Sequence, residues 1–298
     1  MVEPPQLDLE RLRGWVGREE SAEDRCDAAR VRQLAASFDM DTAPWRDGAD
    51  LPPLWHWIFT APVTPLGAVG PDGHAARGGF LPPVPLARRM WAGSRLRWQR
   101  LPRLGEPLRR ASRVESVELK HGKSGALVFV KVAHELRSGE APLLSEEQDI
   151  VYRDAPLGAR PAPNPPAAPP VWRDTLEAAS ARTPARCTLV PDDVLLFRYS
   201  ALTFNSHRIH YDRRHCLEAE GYPGLVVHGP LMATLMATLA WLQSGRRAPQ
   251  AFSFRAQAPV FDGEAIEVHA AHDGKALART EVRKADGSVA MAGEMRWA

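Results

Sequence analysis

The chain has 298 residues, 44% apolar and 25% charged, with 38 basic against 36 acidic side chains and a formal net charge of +2. That is length enough for two ordinary cores, and so even a balance of charge excludes binding to nucleic acid through bulk charge. Three scattered cysteines, Cys26, Cys187 and Cys216, exclude a disulfide framework or thiolate zinc site and point to a reducing compartment. Met1-Val2-Glu3-Pro4-Pro5 opens no basic-then-apolar leader and no apolar stretch is long enough to span a bilayer, so a cytoplasmic protein without a membrane partner is expected.

In chain order, Leu7, Leu9, Leu12 and Val16, then Ala28, Val31, Leu34 and Phe38, recur at helical spacing and predict two short amphipathic helices. A loop-rich stretch runs to Pro85, after which residues 86–98 read as a helix. Residues 113–121 and 126–136 alternate as strands around the turn His121-Gly122-Lys123-Ser124-Gly125, and 143–152 supply another. Seven prolines from Pro156 to Pro170 hold the chain extended, which marks residues 155–172 as a linker between residues 1–154 and 173–298. In the second half, residues 194–200 read as a strand and 230–242 as an apolar helix buried on most faces. Only strands follow, at 250–260, 265–272, 276–284 and 288–297, parted by Asp262-Gly263, Asp273-Gly274 and Asp286-Gly287. One long helix with an antiparallel meander implies a sheet wrapped around it, an α+β arrangement that fits a hot-dog fold.

Chemistry concentrates between Thr203 and Gly229. The stretch Thr203-Phe204-Asn205-Ser206-His207-Arg208-Ile209-His210-Tyr211-Asp212 leads through a short polar helix to Gly221-Tyr222 and His228-Gly229-Pro230. Any one of the ten histidines is more often a hydrogen-bonded structural residue than a catalyst, but the clustering shifts that balance. Adding water to an α,β-unsaturated thioester needs a base for the water, a proton source for the α-carbon and donors for the enolate-like oxygen between. His210 is the candidate base, and Asn205 can orient the water through its amide. Gly229 precedes Pro230 at the first turn of the apolar helix, so its N–H can face the thioester oxygen with the helix dipole behind it.

These residues resemble the MaoC-like, or R-specific hydratase 2, family, whose signature runs Gly-Asp-x-Asn-Pro-hydrophobic-His and continues to a Gly-aromatic and a His-Gly pair. His210 falls on the signature histidine, Ile209 on the hydrophobic position, and Gly221-Tyr222 and His228-Gly229 on the later pairs. The family's acid corresponds to Asn205, and its asparagine and proline positions hold His207 and Arg208. That version is similar to a branch containing mitochondrial-type 3-hydroxyacyl-thioester dehydratases and the mesaconyl-CoA and itaconyl-CoA hydratases. Gly79-Phe80-Leu81-Pro82-Pro83-Val84-Pro85-Leu86-Ala87-Arg88-Arg89-Met90-Trp91-Ala92-Gly93 looks like the corresponding first-half segment of those proteins. The resemblance implies a double hot-dog fold, each half an antiparallel sheet around a long central helix, with the catalytic loop in the second half and the first half widening a tunnel. It also implies a hydro-lyase acting on an acyl-CoA or acyl-carrier-protein thioester, coenzyme A entering as part of the substrate, no separate cofactor, and a homodimer.

Because an amide cannot exchange a proton usefully, Asn205 leaves the second proton transfer to another group, and His207, Tyr199 and His210 itself are the candidates. Asp212 can orient an imidazole, although a helix N-cap before Arg213 is the more common role for such an aspartate. His207 and His210 form an H-x-x-H pair without an evident third ligand, so no metal is expected. His215 reads as solvent-facing and His228 as a structural partner near the oxyanion donor. Arg208, Arg88 and Arg89 are the candidates for the phosphates of a coenzyme A arm, and Trp55, Trp57, Trp91 and Trp98 read as core or tunnel wall. A short branched dicarboxylic acyl-CoA is the leading substrate; a carrier-protein dehydratase, a thioester hydrolase and a non-catalytic acyl-CoA binder are the competing readings.

Overall fold

The computed structural model describes residues 7–122, 125–154 and 172–298. The linker expected over residues 155–172 lies outside them except for Trp172, as do Lys123 and Ser124 of the expected turn. The first five strands are β1 (Glu19–Arg25), β2 (Arg88–Trp98), β3 (Pro107–Gly122), β4 (Gly125–Ser138) and β5 (Ala141–Arg153). The last five are β6 (Ala185–Leu189), β7 (Ala251–Ala256), β8 (Ile266–His272), β9 (Leu277–Lys284) and β10 (Val289–Arg296). They form one antiparallel sheet in the order β1-β3-β4-β5-β2-β7-β10-β9-β8-β6. Each set of five therefore repeats the internal order of the other in mirror sequence, and the two join where β2 pairs with β7. Gly93 permits that seam, since a Cβ there would stand 2.4 Å from the Phe254 carbonyl oxygen.

The helices are α1 (Leu9–Arg13), α2 (Ala28–Ser37), α3 (Leu176–Ser180), α4 (Asp193–Leu202), α5 (Arg213–His215, running into a π turn over Cys216–Glu220) and α6 (Gly229–Gln243). From Leu231 to Leu242 every residue of α6 is buried, as its apolar sequence predicts. Helices α2 and α4 each follow the first strand of their half and each begin at an aspartate: Asp27 accepts from the Ala29 and Arg30 N–H groups, Asp192 from the Leu195 N–H.

The halves differ where the long helix belongs. The second has α6; between α2 and β2 the first has Pro44, Pro52, Pro53, Pro62, Pro65, Pro71, Pro82, Pro83 and Pro85, and forms only two 3₁₀ turns, Trp55–Ile58 and Leu66–Ala68. The buried Trp55 instead ties this segment to α6, its Nε1 donating to Thr238 Oγ1 at 2.9 Å.

Two sequence expectations change. Residues 86–98 are not a helix but mostly β2, with Leu96 and Trp98 buried and Arg95 and Arg97 exposed in strand alternation. Residues 194–200 are not a strand but the body of α4, whose buried Leu195, Leu196, Tyr199 and Ser200 fall at helical spacing behind the Asp192 cap. Beyond these, β1 and β6 were not expected: Glu19–Arg25 is polar except for Ala22, the character of a protected edge strand.

Candidate active site

The candidate catalytic loop begins where α4 ends. Phe204 adopts a left-handed conformation (φ 50°), and the Asn205 N–H bonds back to the Ser200 carbonyl at 2.8 Å, which turns the chain out of the helix. Asn205 Oδ1 then accepts from the His207 N–H at 3.0 Å, and a 3₁₀ turn over Arg208–His210 follows. A loop of the first half docks on this one. Arg208 N–H donates to the Asp72 carbonyl at 2.9 Å, Arg208 Nη1 to the Pro71 carbonyl at 3.2 Å and Ser206 Oγ to the Gly73 carbonyl at 2.5 Å. Gly73 is required at φ 87°, because a Cβ would lie 1.9 Å from the Ser206 carbonyl oxygen.

The docking lines up four imidazoles. His74 packs on His207 with ring centroids 3.8 Å apart, His207 meets His210 edge to face at 5.5 Å, and His210 stacks on His228 at 3.6 Å. His210 Nδ1 lies 2.7 Å from the Val226 carbonyl oxygen, which can only accept, so Nδ1 carries the proton and Nε2 keeps its lone pair. Burial lowers His210 to about 4 against the pull of that carbonyl, with the charge of His74 adding to the depression. Burial likewise holds His207 and His228 far below a free imidazole, helped by their neighbouring rings. His228 Nε2 pairs with Ser200 Oγ at 2.8 Å, and its buried Nδ1 has no partner. Next to it Gly229 opens α6 with no side chain capping the helix, and a Cβ there would meet nothing closer than the Trp91 carbonyl oxygen at 3.8 Å.

Among the residues singled out from sequence, His210, His207 and Asn205 share the loop, and His228-Gly229 stand beside His210. Tyr199 is diverted: burial pushes its phenol up, its hydroxyl pairs with Thr234 Oγ1 at 3.3 Å, and its ring lies edge-on to His228. Asp212 is the N-cap, accepting from the His215 N–H at 2.9 Å, and its other oxygen takes Arg208 Nε and Nη2 at 3.0 and 2.6 Å, so it orients no imidazole. His215 is not solvent-facing; its side chain is 11% exposed and stands 3.7 Å from Glu220. Arg88 is buried, paired with Glu220 at 3.3 Å and set over the Tyr222 ring at 4.4 Å. Arg88 and Arg208 are thus both committed to carboxylates. Arg89 has no ion pair among the described residues, and its charge acts on His74 and His207. Trp55 and Trp98 are core, whereas Trp57 and Trp91 pack edge to face at 4.8 Å as half-buried wall.

Sequence reasoning missed Asp72 and His74, which lie far from Asn205 in the chain and belong to no motif singled out; the nearest signal was the turn Pro71-Asp72-Gly73-His74 itself. Asp72, His74 and His207 offer donor atoms within 4.8 Å of one another. Two imidazoles sharing one cation at ~2.1 Å stand with centroids roughly 4.5 Å or more apart. At 3.8 Å, with their planes tilted by 39°, the His74 and His207 rings stand closer together than that.

Fold and site together define a hydro-lyase of the hot-dog class. The chain belongs to the hydroxyacyl-thioester dehydratase type 2 family, which it matches over residues 54–262. It is 43% identical over 277 residues to a mesaconyl-C(4)-CoA hydratase of Chloroflexus aurantiacus, covering 93% of this chain and 94% of that one. In structure it is similar to a MaoC-like dehydratase from Phytophthora capsici (TM-score 0.70, 13% identity, 98% of each chain). A Mycobacterium tuberculosis protein with a double hot-dog fold also superposes (TM-score 0.54, 13% identity, 94% of this chain and 95% of that one).

Proposed function

We propose that the protein hydrates a short branched dicarboxylic acyl-CoA of the mesaconyl-C4 or itaconyl kind, with His210 as general base. The observation that carries the reading is the His210 tautomer: with Nδ1 held by the Val226 carbonyl, a neutral imidazole presents Nε2 as a base beside the start of α6. His210 takes a proton from water, whose oxygen attacks the β-carbon. The negative charge that moves onto the thioester oxygen is met by the Gly229 N–H and the α6 dipole. Asn205, with its oxygen engaged by His207, keeps its NH₂ to hold the water. In this division residues 173–298 carry the catalytic loop and residues 1–154 supply the facing wall.

The acyl preference follows from charge. A dicarboxylic acyl group brings a carboxylate of its own, and Arg89 is the candidate arginine not already committed to one. The 43% identity to a mesaconyl-C(4)-CoA hydratase supports the same substrate class. The test is loss of conjugated-thioester absorbance with mesaconyl-CoA, itaconyl-CoA and crotonyl-CoA in parallel. Loss with a dicarboxylic substrate, abolished in His210→Ala, is expected; activity surviving in that variant overturns the base assignment, and a preference for crotonyl-CoA overturns the acyl assignment.

A further inference from the structure

Hydration of an enoyl thioester moves two protons: one leaves the attacking water and one arrives at the α-carbon. His210 accounts for the first. The second needs a group that carries a transferable proton beside the same site, and the residues around His210 narrow the choice. Asn205 is an amide. Tyr199 holds its hydroxyl to Thr234, and burial pushes it further from ionising. His207 and His228 lie between or beneath other rings, held neutral by burial. Asp212 is taken by Arg208 and the α5 N-terminus.

We propose that His74, oriented by Asp72, is the proton-donating catalytic residue, supplied by the first half of the chain to a site whose base lies in the second; this rests on the reading of His210 given above. Three observations carry it. His74 is the one ring of the four hydrogen-bonded to a carboxylate, its Nδ1 lying 3.3 Å from Asp72 Oδ2. Asp72 is itself locked, its Oδ1 accepting from the His74 N–H at 3.0 Å and its carbonyl from the Arg208 N–H at 2.9 Å. The turn also docks where only glycine fits, at Gly73 against Ser206, so the pair is held against the catalytic loop.

Electrostatics assigns the roles. Where four imidazoles share few protons, a proton rests on the ring facing a negative charge. Burial is the largest influence on His74 and, with the charges of Arg89 and Arg77, holds it below a free imidazole; the hydrogen bond and charge of Asp72 oppose this and favour the charged form. His210 faces only a neutral carbonyl and stays a base. His74 is also the open end of the row, its side chain 24% exposed and that of Asp72 31%, so it can be reprotonated from solvent. In the hydration step a water O–H bond breaks to His210 Nε2, the C–O bond forms at the β-carbon, and the π pair moves toward the thioester. The His74 Nε2–H bond then breaks as the α C–H bond forms. After product leaves, His210 returns its proton to solvent and His74 regains one, so the net change is one water added.

The roles separate in an exchange experiment. With a saturated analogue such as methylsuccinyl-CoA in D₂O there is no water to add, and exchange of the α-hydrogen reports only the group facing the α-carbon. We expect His74→Gln to lose roughly 10²–10⁴-fold in both α-exchange and hydration, with Asp72→Asn losing less in both and added imidazole restoring part of the rate in His74→Ala. His210→Ala should lose hydration but keep α-exchange. Hydration and exchange at wild-type rate in His74→Gln, with His210→Ala inactive, overturn the His74 assignment and leave the base standing. Wild-type protein inactive in both assays overturns the hydratase reading itself. Loss of wild-type hydration in EDTA, restored by Zn²⁺, also overturns the assignment, by making Asp72, His74 and His207 a cation site.

Discussion

The protein buries two groups of histidines that are built in opposite ways. In the candidate catalytic group, His207, His210 and His228 face one another, and the carboxylate, Asp72, stands at the edge beside His74. In the other, inside the first half, the carboxylate is at the centre. Glu146, 4% exposed, accepts from Trp57 Nε1 at 3.1 Å and Gln148 Nε2 at 3.0 Å, with His56 Nε2 at 3.5 Å, while His134 pairs with Ser112 at 2.8 Å. Burial pushes Glu146 up, but the hydrogen bonds and charges of His56, His134 and Trp57 outweigh it and bring it down to about 2. Such a carboxylate is consumed by its donors and serves the fold. Neither burial nor an unmatched ring nitrogen therefore marks a candidate catalytic histidine, since His134 Nε2 also lacks a partner; what sets His210 apart is its place against His228 at the start of α6.

The largest expected effect breaks the comparison on the catalytic side. His210→Ala should cost roughly 10²–10⁴-fold in kcat/KM while moving the urea midpoint little. If the unfolding curve moves and the rate of folded protein does not, His210 is structural like His134. The reverse holds for Glu146→Ala, which leaves charged and polar partners buried without their acceptor. It should cost roughly 3 kcal/mol of stability in urea unfolding and leave the kcat/KM of folded enzyme unchanged.

Acid should sharpen the contrast. His210 and His134 are both held at about 4, below the 6.5 of a free imidazole. Between those values the unfolded chain binds protons that the folded protein refuses, so stability present above pH 6.5 is lost as pH falls toward 4. Glu146, held at about 2 against 4.5, loses its contribution only at lower pH, from 4.5 downward. Urea midpoints at pH 7, 5 and 4 should fall in wild type and fall less steeply in His134→Gln; a flat profile contradicts the neutral state of both rings.

The smallest effect concerns how each group is entered. Leu54 precedes His56 and Phe204 precedes His207, and both take left-handed backbone at φ 69° and 50°. Phe204 is exposed, so Phe204→Gly should raise stability by at most about 1 kcal/mol. Leu54 is fully buried, and the same change there should destabilise, because the lost packing exceeds the strain relieved. Thermal unfolding of the two variants reads both signs.

Much of the second half was legible in the sequence for a local reason. The helix α6, the strands after it and their Asp-Gly turns are decided by residues close in the chain, and so is the loop from Asn205 to His210 with its neighbour Gly229. The expectations that failed were also local, but propensity and context disagreed there. An apolar, arginine-rich run at residues 86–98 became β2 because both faces of the seam with β7 needed a strand, and residues 194–200 became α4 because Asp192 caps them. What tertiary structure alone decided is the pairing of distant segments. It committed Arg88 and Arg208 to Glu220 and Asp212, turned Tyr199 to Thr234, and set Asp72 and His74 against His207. Periodicity and turn chemistry act over a few residues, whereas the charge an imidazole feels depends on whatever the fold packs within a few ångströms of it, however far away in sequence.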